Sequence, residues 1–148
     1  MIDTVSSASF VVRARSAAAP STVFALLADA PAWQEWAGPL VPQARWEPGT
    51  RGGRGAVRRL GLGPLTVREQ VVEHRPGDAF SYVLLTAVRW HGYRADVELA
   101  EDQRGGTTIL WRGRLSSPVP VLAGVLAPAF RLMVQDFARR LAAAAEKS

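Results

Sequence analysis

The segment "AAAPSTVFALLADAPAWQEW" (residues 17–36) has the most distinctive local pattern in the chain. Its apolar positions from Val23 to Leu27 supply a helix face, and Ser21 or Thr22 is the expected N-cap. Pro31 is expected to end this helix, after which a second short helical turn begins. The segment therefore predicts two consecutive short helices.

Trp33 and Trp36 stand three residues apart in the second of these helices. At that spacing both indole rings lie on one face of a helical turn. Two such rings either fill the base of a core or line a hollow. The residues alone leave both interpretations open.

The rest of the chain up to residue 115 has mostly the two-residue period of β-strands. "SFVVRARS" (9–16) alternates between an apolar and a polar face, and most residues from 54 to 115 do the same. "GLGP", "RPGD" and "DQRGG" supply turns at the spacing of an antiparallel meander. One face of this sheet is apolar, so another element must cover it.

The last segment, "PVLAGVLAPAFRLMVQDFARRLAAAAEKS" (120–148), supplies that cover. Its apolar residues recur at helical spacing and predict a helix over about 121–146, with a kink or a loop-to-helix start at Pro128. These residues are Leu122, Leu126, Phe130, Met133, Val134, Phe137 and Leu141. The chain of 148 residues is thus expected to form one α+β domain, with a structured core of about 9–146.

Composition and charge exclude several classes of function. The chain has no cysteine, which excludes disulfides and thiolate chemistry, and it has neither a membrane-length apolar run nor a signal-peptide pattern. We therefore expect a cytoplasmic protein. The net charge of +5 comes almost entirely from arginines, which are spread singly along the strands. We expect them on the solvent faces of many elements rather than in one basic stripe, and expect no nucleic-acid partner. They include Arg13, Arg15, Arg68, Arg94, Arg112 and Arg114.

The motifs of metal, phosphate and nucleophile chemistry are also missing. His74 and His91 are too far apart for metal-ligand spacing, and "RGGRG" does not connect a strand to a helix as a phosphate loop does. No serine occupies a nucleophile elbow. We expect no metal and no cofactor, and His74 is expected to lie exposed in the turn beside "RPGD".

The hairpin around "GLGP" indicates two inward ionisable residues. If residues 61–64 form its turn, Arg58 lies opposite Val67, and Arg58 and Glu69 share the apolar face. Buried charges are costly unless they are paired with each other or with a ligand. A slip of one residue would turn both toward solvent, so an ordinary pair of surface charges is the alternative.

Other polar or aromatic residues share the phase of the apolar face. Tyr82, His91 and Tyr93 are expected to point inward, where each could donate a hydrogen bond to a carbonyl or phenol, and His91 could act as a general base. Alternatively, each is a core residue whose polar tip finds a backbone partner. Trp111 is also expected on the apolar face.

The order of these elements resembles the START-like, or Bet v 1-like, helix-grip superfamily, and most closely its bacterial polyketide cyclase/dehydrase-type group (SRPBCC). The resemblance covers residues 9–146, and its most specific pieces are the 17–36 segment and "GGTTILW" (105–111). It implies a curved sheet of six or seven strands around the C-terminal helix, enclosing an elongated cavity. Trp36 matches the tryptophan usual in the family, which favours a cavity-lining role.

Three functions remain open at this point. The first is binding of a lipid-like, polyketide or aromatic small molecule in the cavity, by a monomer or homodimer. The second is an aromatase/cyclase moving protons with Arg58, Tyr82, His91 or Tyr93. The third is a co-chaperone-like module with a filled cavity, which needs an exposed apolar patch that the sequence does not reveal. The candidate ligand-binding residues are Trp36, Arg58, Glu69, Tyr82, His91, Tyr93, Trp111, Phe130, Val134 and Phe137.

Overall fold

The described part of the chain forms seven strands and three helices. The computed structural model describes residues 5–50, 52–62, 65–85 and 92–148. The elements are β1 (Ser6–Ser16), α1 (Pro20–Ala28), α2 (Ala30–Trp36), β2 (Ala44–Trp46), β3 (Val57–Leu62), β4 (Leu65–Arg75), β5 (Ala79–Leu84), β6 (Gly92–Glu101), β7 (Thr107–Ser117) and α3 (Leu122–Glu146).

All seven strands join in one antiparallel sheet of order β1-β7-β6-β5-β4-β3-β2. The first strand pairs with the last along its whole length, from Ser6 opposite Ser117 to Ser16 opposite Thr107. The long helix α3 packs on β1 and β7, and α1 lies against both α3 and α2. The predicted α+β helix-grip architecture is therefore confirmed.

The strands form because their side chains alternate between the α3 face and solvent. In β6, Tyr93, Ala95 and Val97 are buried, whereas Arg94 and Glu98 are exposed. The buried face of the sheet, together with α1, α2 and the C-terminal half of α3, makes one hydrophobic core. This core fixes which polar side chains point inward.

The two short helices begin differently from the prediction. The N-cap of α1 is Ala19, without a side-chain cap, so the expected role of Ser21 or Thr22 is wrong. Pro20 opens the helix instead, since its fixed φ suits the first turn and its missing N–H is not needed there. Pro31 likewise lies in the first turn of α2, and the break between the helices falls before it. A helix cannot continue through proline without losing a hydrogen bond.

The C-terminal helix runs unbroken from Leu122 to Glu146, so the alternative start at Pro128 is wrong. Pro128 lacks the N–H that would bond to the carbonyl of Gly124. Both residues are at least partly accessible, so water can reach that carbonyl. None of the helices in the described ranges is long and apolar enough to cross a membrane.

Candidate functional site

Arg58 of β3 and Glu69 of β4 lie directly opposite each other on the inner face of the sheet. The predicted register was wrong by two residues, because Leu62 pairs with Leu65 and the loop is shorter than the assumed turn over 61–64. Residues 63 and 64 lie outside the described ranges. A two-residue shift keeps every side chain on its face, so the inward placement of both charges is correct.

The two side chains form a buried ion pair. Arg58 is 0% exposed and Glu69 6% exposed. The Arg58 Nε donates to Glu69 Oε1 at 3.0 Å, and Nη2 lies 2.9 Å from the same oxygen. The guanidinium carbon stands 4.3 Å from the Trp33 ring centroid and 4.5 Å from that of Tyr82. Such rings stabilise a desolvated cation, so the arginine is held by both charge and π contacts.

Burial shifts the pKa values of Glu69 and of the two neighbouring tyrosines, Tyr82 and Tyr93. It raises the pKa of the Glu69 carboxyl, and the nearby Arg58 cation only partly offsets that rise. Burial also raises the pKa of the Tyr82 and Tyr93 hydroxyls far above the usual value of a phenol. Both tyrosines are therefore neutral hydrogen-bond donors at pH 7.

Four buried donor atoms have no hydrogen-bond acceptor among the described residues: Arg58 Nη1 and Nη2, Tyr93 Oη and Trp111 Nε1. Nη2 is close to Glu69, but not at a hydrogen-bonding angle. The Tyr93 hydroxyl and the Trp111 indole N–H both lie near enough to the Tyr82 hydroxyl to offset part of the rise in its pKa, although neither contact reaches hydrogen-bond geometry. Unpaired buried donors are rare because each costs about 1–3 kcal/mol. The cluster is thus suited to an acceptor oxygen from another molecule.

Trp33 and Trp36 join the two short helices at the base of the grip. The Trp33 indole N–H donates to the Leu27 carbonyl at 2.8 Å, and that of Trp36 donates to Leu26 at 3.1 Å. Their ring centroids are 4.6 Å apart. Both rings therefore pack α2 against α1, and Trp33 also supports Arg58. The contact between Trp33 and Arg58 joins residues distant in sequence, and no sequence signal indicated it.

The candidate residues on α3 complete the aromatic surroundings. Phe137 stands 5.4 Å from Trp33 and 6.4 Å from Trp111, centroid to centroid. Val134 is fully buried, whereas Phe130 is only half-buried and lies 5.0 Å from Tyr93. The N-terminal half of α3 thus covers the sheet less completely than the C-terminal half, and the half-buried Phe130 lies beside the buried Tyr93.

His74 does not contribute to this cluster. His91 lies outside the described residues, so its predicted role stays a prediction. His74 is not exposed in a turn as expected, because β4 extends to Arg75 and the turn starts later. It is half-buried, with its ring edge-on to the Phe24 ring at a centroid distance of 5.0 Å.

The arginines of the strands lie on the solvent faces of several strands, as expected. Apart from Arg58 they lie on the outer face of the sheet, since residues opposite each other in a ladder share a face. Carboxylates are interleaved with them in ion pairs, so they do not form an unbroken basic stripe. These pairs include Arg15 with Asp102, Arg68 with Glu47, and Arg94 with Asp96.

A curved antiparallel sheet gripping a long helix, with polar groups among aromatic rings, defines a helix-grip protein of START-like, or Bet v 1-like, architecture. Within this class of fold, similarity to a family model identifies the family of the chain. The chain belongs to the polyketide cyclase/dehydrase and lipid transport family, whose model matches residues 7–146. Curated protein sequences give no match.

Solved structures share the fold at low sequence identity. XoxI from Bacillus cereus is 18% identical, with 95% of each chain covered and a TM-score of 0.72. Ara h 8.0201 is 13% identical over 97% of this chain and 100% of that chain, with a TM-score of 0.74. The di-domain ARO/CYC StfQ from the steffimycin biosynthetic pathway is 18% identical over 95% of this chain and 51% of that chain, with a TM-score of 0.78.

Proposed function

We propose that the protein binds a hydrophobic small molecule that carries at least one acceptor oxygen, such as a ketone. The ligand lies between the sheet and the N-terminal half of α3, with its oxygen toward Tyr93, Trp111 and Arg58. The family's description includes polyketide cyclases and lipid transport, which supports a hydrophobic ligand of this kind.

The observation that carries this proposal is the set of buried donors without acceptors. A ketone or enolate oxygen accepts hydrogen bonds and donates none, so it matches such a set. Half-buried apolar side chains packed against the core would supply the remaining contacts, since binding sites are mostly apolar with a few polar groups. They include Leu84, Leu126, Phe130 and Met133.

Two bicyclic probes with the same carbon skeleton test the role of the donors. 1-Tetralone carries a ketone, whereas tetralin does not. Titration calorimetry should show tighter binding of 1-tetralone to the wild type. Tyr93→Phe should remove about 1–3 kcal/mol of this preference, because one donor is lost. The same variant should be no less stable than the wild type, since it deletes an unpaired buried hydroxyl.

Tyr93→Phe thus separates a binding role from a structural one. Equal affinity of the wild type for both probes would contradict the proposal, as would an unchanged preference in Tyr93→Phe. Loss of stability in the variant would show that the hydroxyl has a structural partner. Native mass spectrometry of the purified protein adds an independent check, because a co-purified hydrophobic molecule would report its own mass.

A second candidate function is cyclase-type proton transfer, favoured by the buried Glu69 carboxyl with its raised pKa. In its ionised form Glu69 would take a proton from the carbon beside the ketone. The electron pair would move to the carbonyl oxygen, and the donors around it would stabilise the enolate. NMR in D₂O should then show catalysed exchange of the α-protons of 1-tetralone, lost in Glu69→Gln. Binding without exchange would leave the carrier function alone.

A further inference from the structure

The outer side of the N-terminal half of α3 carries an exposed apolar ridge, formed by Val121, Val125, Pro128 and Leu132. Val121, Val125 and Leu132 are 76%, 69% and 65% exposed. Pro128 and Leu132 follow Val125 by three and seven residues and so lie on the same side of the helix, and Val121 precedes the helix as its N-cap. Contiguous exposed aliphatic side chains mark interaction surfaces more often than isolated ones do. The sequence alone offers no clear candidate for such a patch.

The conformation of Val121 indicates that its exposure is not accidental. Its φ is 58°, in the left-handed region that a β-branched residue rarely adopts. Burial does not compensate this strain, because the side chain points into solvent. The backbone on either side is fixed to β1, where Ser6 Oγ donates to the Val119 carbonyl at 2.8 Å and accepts from the Ala123 N–H at 3.3 Å. The fold therefore holds this valine outward, and strained residues often mark functional positions.

The charge around the α3 ridge points to the nature of its partner. Residues 115–135 contain no Asp or Glu, and Arg131 is exposed beside Leu132. The whole chain carries a net charge of +5. A second copy of the chain would bring like charges together. A lipid surface with anionic headgroups offers both apolar depth and opposite charge.

We propose that the α3 ridge docks on an anionic membrane surface. Val121, Val125 and Leu132 enter the boundary between headgroups and acyl chains, and Arg131 contacts lipid phosphates. This proposal does not depend on the ligand, but it has a consequence for ligand entry. The opposite side of the same helical segment carries the half-buried Phe130, which contacts Tyr93, so docking would bring this part of the candidate site close to the bilayer.

Vesicle co-sedimentation tests the docking. The full chain should sediment with vesicles of phosphatidylcholine mixed with phosphatidylglycerol, and much less with phosphatidylcholine alone. Val125→Ser combined with Leu132→Ser should weaken the partition by on the order of tenfold, because two aliphatic groups no longer enter the lipid. Val121→Gly should weaken it too, without loss of thermal stability, since glycine accepts the left-handed conformation. Val11→Ser is the matched control, because Val11 is 41% exposed on the outer face of β1.

Binding that is equal in the wild type and the double serine variant would overturn the proposal. So would a wild type that stays in the supernatant with both kinds of vesicle. A dimer in analytical ultracentrifugation that the serine substitutions dissociate would assign the ridge to a second copy instead. The double serine variant should still bind 1-tetralone with wild-type affinity, so failure of docking is distinguishable from failure of ligand binding.

Discussion

Removal of the cation from the buried pair is the perturbation that tests the site most directly. In Arg58→Met, an apolar side chain of similar length replaces the guanidinium, and Glu69, which is 6% exposed, loses its partner. A carboxylate in this position must either remain charged in an apolar setting or take up a proton. Protonation is the less costly choice, so the loss of stability should be set by pH.

The stability lost in Arg58→Met can be estimated from the cost of keeping the Glu69 carboxyl protonated. Holding a carboxyl protonated at pH 7 costs about 1.4 kcal/mol for each unit between its ordinary pKa of about 4.3 and the pH, or about 3–4 kcal/mol. The wild type already carries part of this cost, because burial raises the pKa of Glu69 even beside Arg58. The lost contacts with Trp33 and Tyr82 add about 1–2 kcal/mol. We therefore expect Arg58→Met to lose about 2–5 kcal/mol at pH 7, in the range found when one partner of a buried pair is removed.

Denaturant unfolding of the single variants and of Arg58→Met/Glu69→Gln measures this coupling. The double variant should recover at least about 1 kcal/mol relative to the additive expectation, because no proton has to be bound. Glu69→Gln alone should cost less than Arg58→Met, since Trp33 and Tyr82 still face the cation. Asp136 and Arg140 of α3 provide the control, as this 2.8 Å pair is 55% and 43% exposed. Removing either partner of that pair should change stability by at most about 1 kcal/mol.

The result that would refute the reasoning is additivity. If both single variants at the buried pair lose less than about 1 kcal/mol and their effects add, the two charges do not interact inside the protein. The pH dependence gives a second criterion. The loss in Arg58→Met should shrink as the pH falls toward the ordinary carboxyl pKa of about 4.3. A loss independent of pH would show that the Glu69 carboxyl is not the cause.

Three further outcomes are expected. In urea melts, the stability of the wild type relative to Glu69→Gln should fall as the pH rises above the ordinary carboxyl pKa of about 4.3. The raised pKa of Glu69 lets the folded state keep a proton that the unfolded chain has released, so a flat or opposite trend would contradict this. 1-Tetralone should change the fluorescence of Trp111 more than that of Trp36, because among the described residues the Trp111 N–H has no acceptor in hydrogen-bond geometry, whereas that of Trp36 is bonded. Trp111→Phe should therefore remove most of the signal and Trp36→Phe little of it. Gly113→Ala should cost about 1–3 kcal/mol in thermal melts, because its Cβ would overlap the Phe10 ring, and wild-type stability would show that this ring can move aside.

Periodicity predicted the architecture because it reports which face of each element is apolar. The alternation through β6 and the helical spacing from Leu122 to Leu141 are both present in the structure. The residues at which the short helices begin and end were less predictable, since they depend on local backbone conformation. Pro20 and Pro31 both open helices, although the sequence pattern predicts that Pro31 ends one.

Of the candidate site, the sequence predicted only which side chains of the strands point inward, because side chains alternate between the two faces of a sheet. The inward placement of Arg58 and Glu69 follows from alternation, which a register error of two residues does not change. The position of Trp33 against the guanidinium depends on how α2 crosses the sheet, and no local pattern encodes that crossing. The side of α3 that faces the sheet was predictable, because the apolar stripe from Leu122 to Leu141 leaves out Val125 and Leu132. The exposure of these two residues together with Val121 as one ridge is seen only in the structure.

The arrangement inside the grip is difficult to explain by stability alone. A buried ion pair is often no better than well-packed apolar residues of the same volume, and donors without acceptors are a direct cost. Apolar side chains at positions 58, 69 and 93 could fill the same space with fewer unsatisfied groups. An acceptor oxygen bound beside Tyr93, as proposed above, would supply hydrogen bonds that the described residues do not. By this reasoning, the double variant Arg58→Met/Glu69→Gln should stand close to the wild type in stability and still lose its preference for the ketone, which separates the demands of folding from those of binding.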